Sequence, residues 1–398
     1  MSLKEISRYC PEQRLLLLCT CAVLDDERAG PVYALLRQEL DWERLLTQAR
    51  RHHLEPFLCR HIDARASDIV PPTILAELHK RSEASLRRSL RLAAELNRLL
   101  RTLQAQGIQA LAYKGPMLAL AAYGSVELRA CADLDIIVRR SDAVAACQML
   151  REDGYRERVP LPSSAPEPLD TSNYCLAFTA NDGRADVELH WALASSFLPW
   201  FEQLEPLWER RQVSGLGRDI LMPSREDLLL LLCLHGAKDG WSRLEWIGNV
   251  AGLLRPPGES VPLDWDYLQA TARCTGTQRM FRLGLALASD LWAAGTSAPL
   301  LPPEIAAWVA QDRAIPALGP EVWSRVLDAE QPLSLLALGR FWLHACQNQR
   351  DRCRVLWRLA TRLGPGDFAM VSLPRTLRPF YFLARPFRLV TWHALGKG

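Results

Sequence analysis

The sequence predicts an α+β fold: a small mixed β-sheet core with helical regions on its N- and C-terminal sides. Three observations lead there. Apolar residues recur at helical spacing through roughly the first quarter of the chain and again through its second half. Between these stretches the texture changes to short apolar runs punctuated by Gly and Pro. Two of those runs carry acids at alternate positions, the signature of a strand with one polar face.

Residues 1–104 read as the N-terminal helical region. Asp41 is placed to cap a helix in which Leu45, Leu46, Ala49 and His53 repeat at helical spacing. Pro71-Pro72 breaks the pattern, and a long helix follows whose stripe of Leu86, Leu90, Ala93, Leu96, Leu100 and Leu103 reads as core.

Residues 105–200 read as the sheet-bearing core. Ile108–Tyr113 is a short apolar run after Gly107, and Lys114-Gly115-Pro116 marks a strand-to-helix turn. Asp133–Val138 reads as a second strand. Ser141 is placed to cap a helix running to about Asp153, where Gly154 ends it. A Pro/Ser-rich loop, Pro160–Pro168, leads to two strands, Tyr174–Thr179 and Arg184–Trp191, close enough for an antiparallel or mixed hairpin. Residues 201–398 read as helical again: Ser224 caps a helix through Leu234, apolar periods continue to Cys353, and Pro374, Pro379 and Pro386 punctuate the tail.

Composition narrows the function classes. Hydrophobic residues make up 49% of the 398 and charged ones 23%, an ordinary balance for a soluble globular chain. A formal net charge of +3 does not call for nucleic acid, although a local basic patch would not show in it. Runs such as Leu228–Leu234 fall far short of the roughly 20 apolar residues of a spanning helix. Lys4, Arg8 and Arg14 precede Leu15–Leu18, but Thr20 interrupts that run and Asp25-Asp26 closes it, so a secretory signal is not expected. The 11 cysteines include no CxxC pair, so their spacing shows neither a disulfide framework nor a zinc site, and a reducing cytoplasm is the expected compartment.

The chemistry concentrates in the two acidic strands. Alternation puts Asp133 and Asp135 on one face and Leu134, Ile136 and Val138 on the other. In the later strand Asp186, Glu188 and His190 share a face. If the polar faces meet, three or four carboxylates converge, and a divalent cation is the natural partner for such like-charge density. That arrangement suits phosphoryl-group transfer, with Mg²⁺ or Mn²⁺ between carboxylates and phosphate oxygens. Asp135→Asn is expected to relieve repulsion with Asp133, leaving metal-free stability unchanged or slightly raised.

The run Lys114-Gly115, Leu118, Tyr123, Arg129 and Asp133-Leu134-Asp135, followed by Val187-Glu188-Leu189-His190-Trp191, resembles the uncharacterised bacterial nucleotidyltransferases of the DNA-polymerase-beta-like superfamily. Leu40-Asp41-Trp42, Ala49-Arg50-Arg51-His52, the stretch from His235 to Trp246 and Arg385-Pro386 extend the resemblance to the flanking regions. It implies that Asp133 and Asp135 hold the metals that bridge a triphosphate, with Glu188 as the third catalytic carboxylate and metal ligand. It also places Lys114-Gly115 in the turn that meets phosphate, where most of the superfamily has Gly-Ser. Gly124-Ser125 has those letters but follows a helix. The implied activity is transfer of an NMP from an NTP donor to an acceptor that stays open: small molecule, sugar, peptide, protein or RNA. A degenerate, non-catalytic nucleotide-binding or scaffold protein is the alternative. A toxin-like RNA-modifying enzyme is a second, and it needs a basic groove leading to Asp133.

Weaker signals surround this centre. His190 would orient a carboxylate, ligate metal or serve the sheet alone. His235 and Asp239, four apart, can pair. Lys238 and Trp241 are candidates for the triphosphate and for the base or acceptor. Arg129 is expected to counter phosphates or brace the carboxylates. The basic-aromatic tail from Arg375 to Trp392 is expected to dock on its own domain.

Overall fold

The computed structural model describes residues 8–65, 68–158, 175–192, 205–215, 219–258, 261–328 and 333–361. The loop at Pro160–Pro168 and the tail from Arg375 to Trp392 lie outside the described residues.

On the N-terminal side the chain forms α1 (Pro11–Cys19), α2 (Asp26–Leu36), α3 (Trp42–Arg51), α4 (Glu55–Arg65) and the long α5 (Pro72–Ala105). Asp41 caps α3 as expected, its carboxylate accepting the Arg44 amide at 2.9 Å. The buried side of α5 runs through Leu78, Leu92, Leu96, Leu99 and Leu103, but Leu90 is exposed. Between Leu78 and Leu92 the inward positions go to Ser82 and Ser89 instead. Ser89 has no exposed surface and donates to the Arg129 carbonyl at 3.3 Å. A small residue is needed there because backbone, not side chain, faces the helix.

The sheet is built from β1 (Ala110–Ala112), β2 (Leu134–Val138), β3 (Tyr155–Glu157), β4 (Cys175–Ala180) and β5 (Asp186–His190), in spatial order β1-β2-β5-β4-β3. The β2–β5 pair is parallel and the other three are antiparallel. Helix α6 (Gly115–Tyr123) follows β1, and α7 (Ala143–Glu152) follows β2. Ser141 does not cap α7: it lies in a 3-10 turn, and its hydroxyl turns to the Asp142 carboxylate at 3.1 Å. Gly154, at φ +83°, ends that segment as expected.

Beyond the core come α8 (Glu205–Glu209) and a hairpin of β6 (Gln212–Gly215) and β7 (Asp219–Met222), where the sequence predicts helix. Strand β7 lies beside β1. Helices α9 (Arg225–Lys238), α10 (Leu244–Leu254), α11 (Trp265–Cys274), α12 (Gln278–Ala293), α13 (Pro303–Ala310), α14 (Ile315–Asp328), α15 (Leu335–Ala345) and α16 (Gln349–Thr361) follow. Ser224 caps α9 by accepting the Asp227 amide at 3.1 Å. The result is the α+β arrangement the sequence predicts, a five-stranded mixed sheet with helices on both sides. No described helix is long and apolar enough to cross a membrane. All eleven cysteines are free.

Two close approaches fix the helices around the sheet. A Cβ on Gly252 of α10 would stand 2.8 Å from the Ala122 carbonyl oxygen of α6. Beside that contact the Tyr123 hydroxyl donates to Asn249 at 2.9 Å. One apolar core, from Tyr9 to Val355, takes in residues of the N-terminal helices, the sheet and the C-terminal helices.

Candidate active site

The parallel β2–β5 register sets Asp135 opposite Glu188, and Leu134 opposite Val187. Opposed residues of neighbouring strands share a sheet face, so the two carboxylates lie on one side while Leu134 and Val187 enter the core. Asp133 immediately precedes β2. Burial, then the charges of Asp135 and Glu188, push its carboxyl up to about 6. The three acids are therefore close enough to resist simultaneous ionisation. Asp186, the fourth acid of the pattern, is engaged elsewhere: its carboxylate accepts the Thr179 hydroxyl at 2.7 Å and pairs with Arg158 at 2.8 Å.

Asp135 is 4% exposed and has two cationic partners. The Lys114 ammonium donates to it at 3.1 Å, and His190 Nε2 stands 3.1 Å from the same oxygen. Burial opposes the carboxylate, but Lys114 and His190 outweigh it and hold Asp135 well below the usual carboxylate range. Burial likewise opposes charge on Lys114 and His190. At Lys114 the Asp135 carboxylate and contacts with Tyr113 outweigh it, and at His190 contacts with Tyr113, Asp135, Cys175 and Glu188 do, so both groups are held above their ordinary values. His190 Nε2 also lies 3.5 Å from Glu188, whose carboxyl it lowers. This argues against the expectation that Asp135→Asn leaves metal-free stability unchanged or slightly raised: the change would take the carboxylate charge from a buried Lys114 ammonium.

Lys114 stands at the N-cap of α6 and lies over the Tyr113 ring at 4.7 Å. Gly115 has φ +58°, and a Cβ there would meet the Asp133 carbonyl oxygen at 3.3 Å. Glycine permits both the left-handed backbone and the close crossing of the turn over the start of β2. Gly124, by contrast, ends α6 in a left-handed conformation, so Gly124-Ser125 is a helix terminus and not the phosphate-facing turn.

Arg129 sits one step behind this turn. Its Nε lies 3.0 Å from a Glu245 oxygen, an ion pair without hydrogen-bond alignment, and Nη1 donates weakly to the Gly115 carbonyl at 3.4 Å. The other Glu245 oxygen is 3.0 Å from His53 Nδ1. Sequence reasoning did not find Glu245; an acid in the first turn of an apolar helix gives no sign that it is 1% exposed. At the end of α9, His235 pairs with Asp239 at 3.3 Å as expected. Burial, then Lys114 and Lys238, hold His235 well below its ordinary value, so this helix end feels the site's charges. Lys238 Nζ is 3.6 Å from Asp239. Trp241 belongs to the apolar core. Its φ is +55°, it has no exposed surface, and its indole fills the space left by Gly236, where a Cβ would approach the ring to 2.5 Å.

Asp133, Asp135, Glu188, Lys114 and Gly115 are thus brought together, Arg129 backs them, Lys238 lies on a neighbouring helix end, and Trp241 is part of the core. Cys175, Glu188 and His190 have their potential ligand atoms all within 4.8 Å of one another. No curated protein matches the sequence. A family described as uncharacterised nucleotidyltransferase does match, over residues 38–293, a span containing every residue discussed above. The match covers well over half of the chain, and the protein belongs to that uncharacterised nucleotidyltransferase family.

Proposed function

We propose that the protein transfers an NMP from an NTP to an acceptor hydroxyl or comparable nucleophile, with divalent ions held by Asp133, Asp135 and Glu188. The observation that carries this reading is the register: Asp135 opposite Glu188, with Asp133 one residue before the strand. The donor set fits Mg²⁺ or Mn²⁺, which prefer carboxylate oxygens, and an ion there would favour the ionised form of the Asp133 carboxyl, which burial first and then Asp135 and Glu188 raise. When bound, the ions supply charge neutralisation for the triphosphate and ease deprotonation of the acceptor.

The chain's own residues divide the remaining work. Lys114 exchanges Asp135 for a phosphate oxygen, keeping its charge in a buried setting where a point charge acts strongly. Gly115 lets the amides at the start of α6 approach the same phosphates. His190 orients Asp135 and Glu188 together through one nitrogen. Arg129 holds the Gly115 carbonyl from behind, and Lys238 contributes positive charge from the end of α9.

The test is incubation of the protein with each labelled NTP, Mg²⁺ or Mn²⁺, and cell extract. Label should pass to an acceptor with wild type and not with Glu188→Gln. Absence of both transfer and metal-dependent NTP binding would refute the reading in favour of a non-catalytic scaffold.

A further inference from the structure

Away from the acidic centre, Cys59, Asp63 and His79 bring three metal-binding side chains to one point. Cys59 and Asp63 are four apart and share a face of α4, while His79 comes from α5, which packs along it. The three potential ligand atoms lie within 4.8 Å of one another. Both Asp63 oxygens are in use: one pairs with His79 Nε2 at 2.6 Å, and the other accepts the Cys59 thiol at 3.5 Å. Cys59 is buried at the floor of this group, whereas Asp63 and His79 are open to solvent. A thiol, an imidazole and a carboxylate thus converge with their donor hydrogens directed at the shared carboxylate, and the open side leaves room for water.

We propose that Cys59, Asp63 and His79 form a binding site for Zn²⁺, completed by water and clipping α4 to α5. A thiolate-imidazole-carboxylate set selects a borderline-soft ion such as Zn²⁺ or Co²⁺ over Mg²⁺. Three protein ligands and a water make the tetrahedral shell zinc prefers. Binding releases the thiol proton to solvent, and the proton on His79 Nε2 moves to Nδ1 or, where Nδ1 already carries one, also leaves to solvent, freeing Nε2 as the ligand. The consequence reaches the sheet, because α5 also holds the Arg129 carbonyl through Ser89. The sequence concealed this group because its members come from two helices and follow no CxxC or HxxxH spacing. The inference is independent of the transfer reaction.

The test uses the full chain, stripped of metal by chelation and titrated with Co²⁺. Wild type should show a thiolate-to-cobalt charge-transfer band that one equivalent of Zn²⁺ abolishes and excess Mg²⁺ does not. Cys59→Ser should lose the band, and His79→Ala should weaken Zn²⁺ binding by roughly 100-fold or more, above the 10–100-fold typical of outer-shell changes. Zn²⁺ at about 100 times its Kd should raise the Tm of wild type by roughly 3 °C and that of His79→Ala by less than about 1 °C. His79 is half exposed, so this variant keeps the test valid if Cys59→Ser folds poorly. Absence of the band in wild type, equal Zn²⁺ affinity in His79→Ala, or a band lost with Cys175→Ser but kept with Cys59→Ser would overturn the proposal.

Discussion

Replacing Lys114 by Met separates its two roles, because they push measurable quantities in opposite directions. In the metal-free chain the ammonium and the Asp135 carboxylate lie 3.1 Å apart, with 10% and 4% of their side chains exposed. At an effective dielectric near 20 their attraction is about 5 kcal/mol before desolvation is charged against it. Removing one partner of a buried pair typically costs about 3–5 kcal/mol, since the other is left buried and uncompensated. His190 remains 3.1 Å from the same oxygen and supplies a second cation, which places the cost near the lower end, about 3 kcal/mol. For a chain of this length that corresponds to a fall in Tm of roughly 4 °C.

Divalent-ion binding in the absence of nucleotide should move the other way. Lys114 competes with a cation for Asp135, so Lys114→Met should bind Mn²⁺ more tightly than wild type. NTP binding at saturating Mn²⁺ should instead weaken at least tenfold, because one charge-assisted phosphate contact, worth about 1.5–3 kcal/mol, is lost. Scanning calorimetry without metal and titration calorimetry for Mn²⁺ and for NTP measure all three quantities. If Mn²⁺ and NTP affinities fall together, or if neither changes, Lys114 is only a structural counter-ion and its assignment to the triphosphate is wrong.

Glu188→Gln should abolish transfer with little loss of metal-free stability, because Glu188 is partly exposed and its principal partner, His190, keeps Asp135; circular dichroism and the transfer assay check the pair of outcomes. Asp133, pushed up to about 6 against an ordinary 3.8, binds more protons in the folded state than in the unfolded one between those values. Its contribution therefore lowers metal-free stability as pH rises from about 4 to about 6, by at most roughly 3 kcal/mol. Mn²⁺ affinity should rise over the same window because the ion no longer has to displace that proton; a flat pH profile in both measurements would contradict this. Gly115→Ala puts an L side chain at φ +58° and a Cβ against the Asp133 carbonyl, so it should cost about 1–3 kcal/mol in chemical denaturation and weaken NTP binding more than Mn²⁺ binding.

Period-two alternation was enough to put Asp135 and Glu188 on the polar faces of their strands, because in a strand the sequence interval itself states the face. Asp135 and Glu188 could be assigned to polar faces from their own neighbours, and the β2–β5 register then set them side by side. Their charge partners were not legible in the same way. Lys114 and His190 lie 21 and 55 positions from Asp135, and no local pattern connects them, so the sequence showed like-charge repulsion where the structure has a compensated cluster. The β6–β7 hairpin escaped because Gln212–Gly215 has neither an apolar run nor clean alternation; its pairing is made by backbone bonds. The placement of Trp241 was hidden for a different reason. A tryptophan among charged residues reads as a ligand contact, but a left-handed backbone turns the indole back onto Gly236, a fold-back no helical periodicity anticipates.

The N-terminal helices bear on the site through a chain of buried charges. Glu245 is 1% exposed, and an acid so placed stays ionised only with partners; the charge of Arg129 and the hydrogen bond from His53 outweigh burial to hold its carboxyl low. Arg129 in turn reaches the Gly115 carbonyl, and thereby the turn that crosses Asp133. Next to His53, His52 accepts the Leu244 amide at 3.2 Å, filling the capping role that Arg243 does not perform with its side chain at the start of α10. Burial, assisted by neighbouring positive charges, pushes His52 down to about 3, so the imidazole remains neutral and able to accept. His53 holds φ +58°, a conformation costly for a residue with a Cβ, and its ion pair with Glu245 stabilises that geometry. The two histidines between α3 and α4 therefore position α10, Glu245, Arg129 and the Lys114-Gly115 turn in succession.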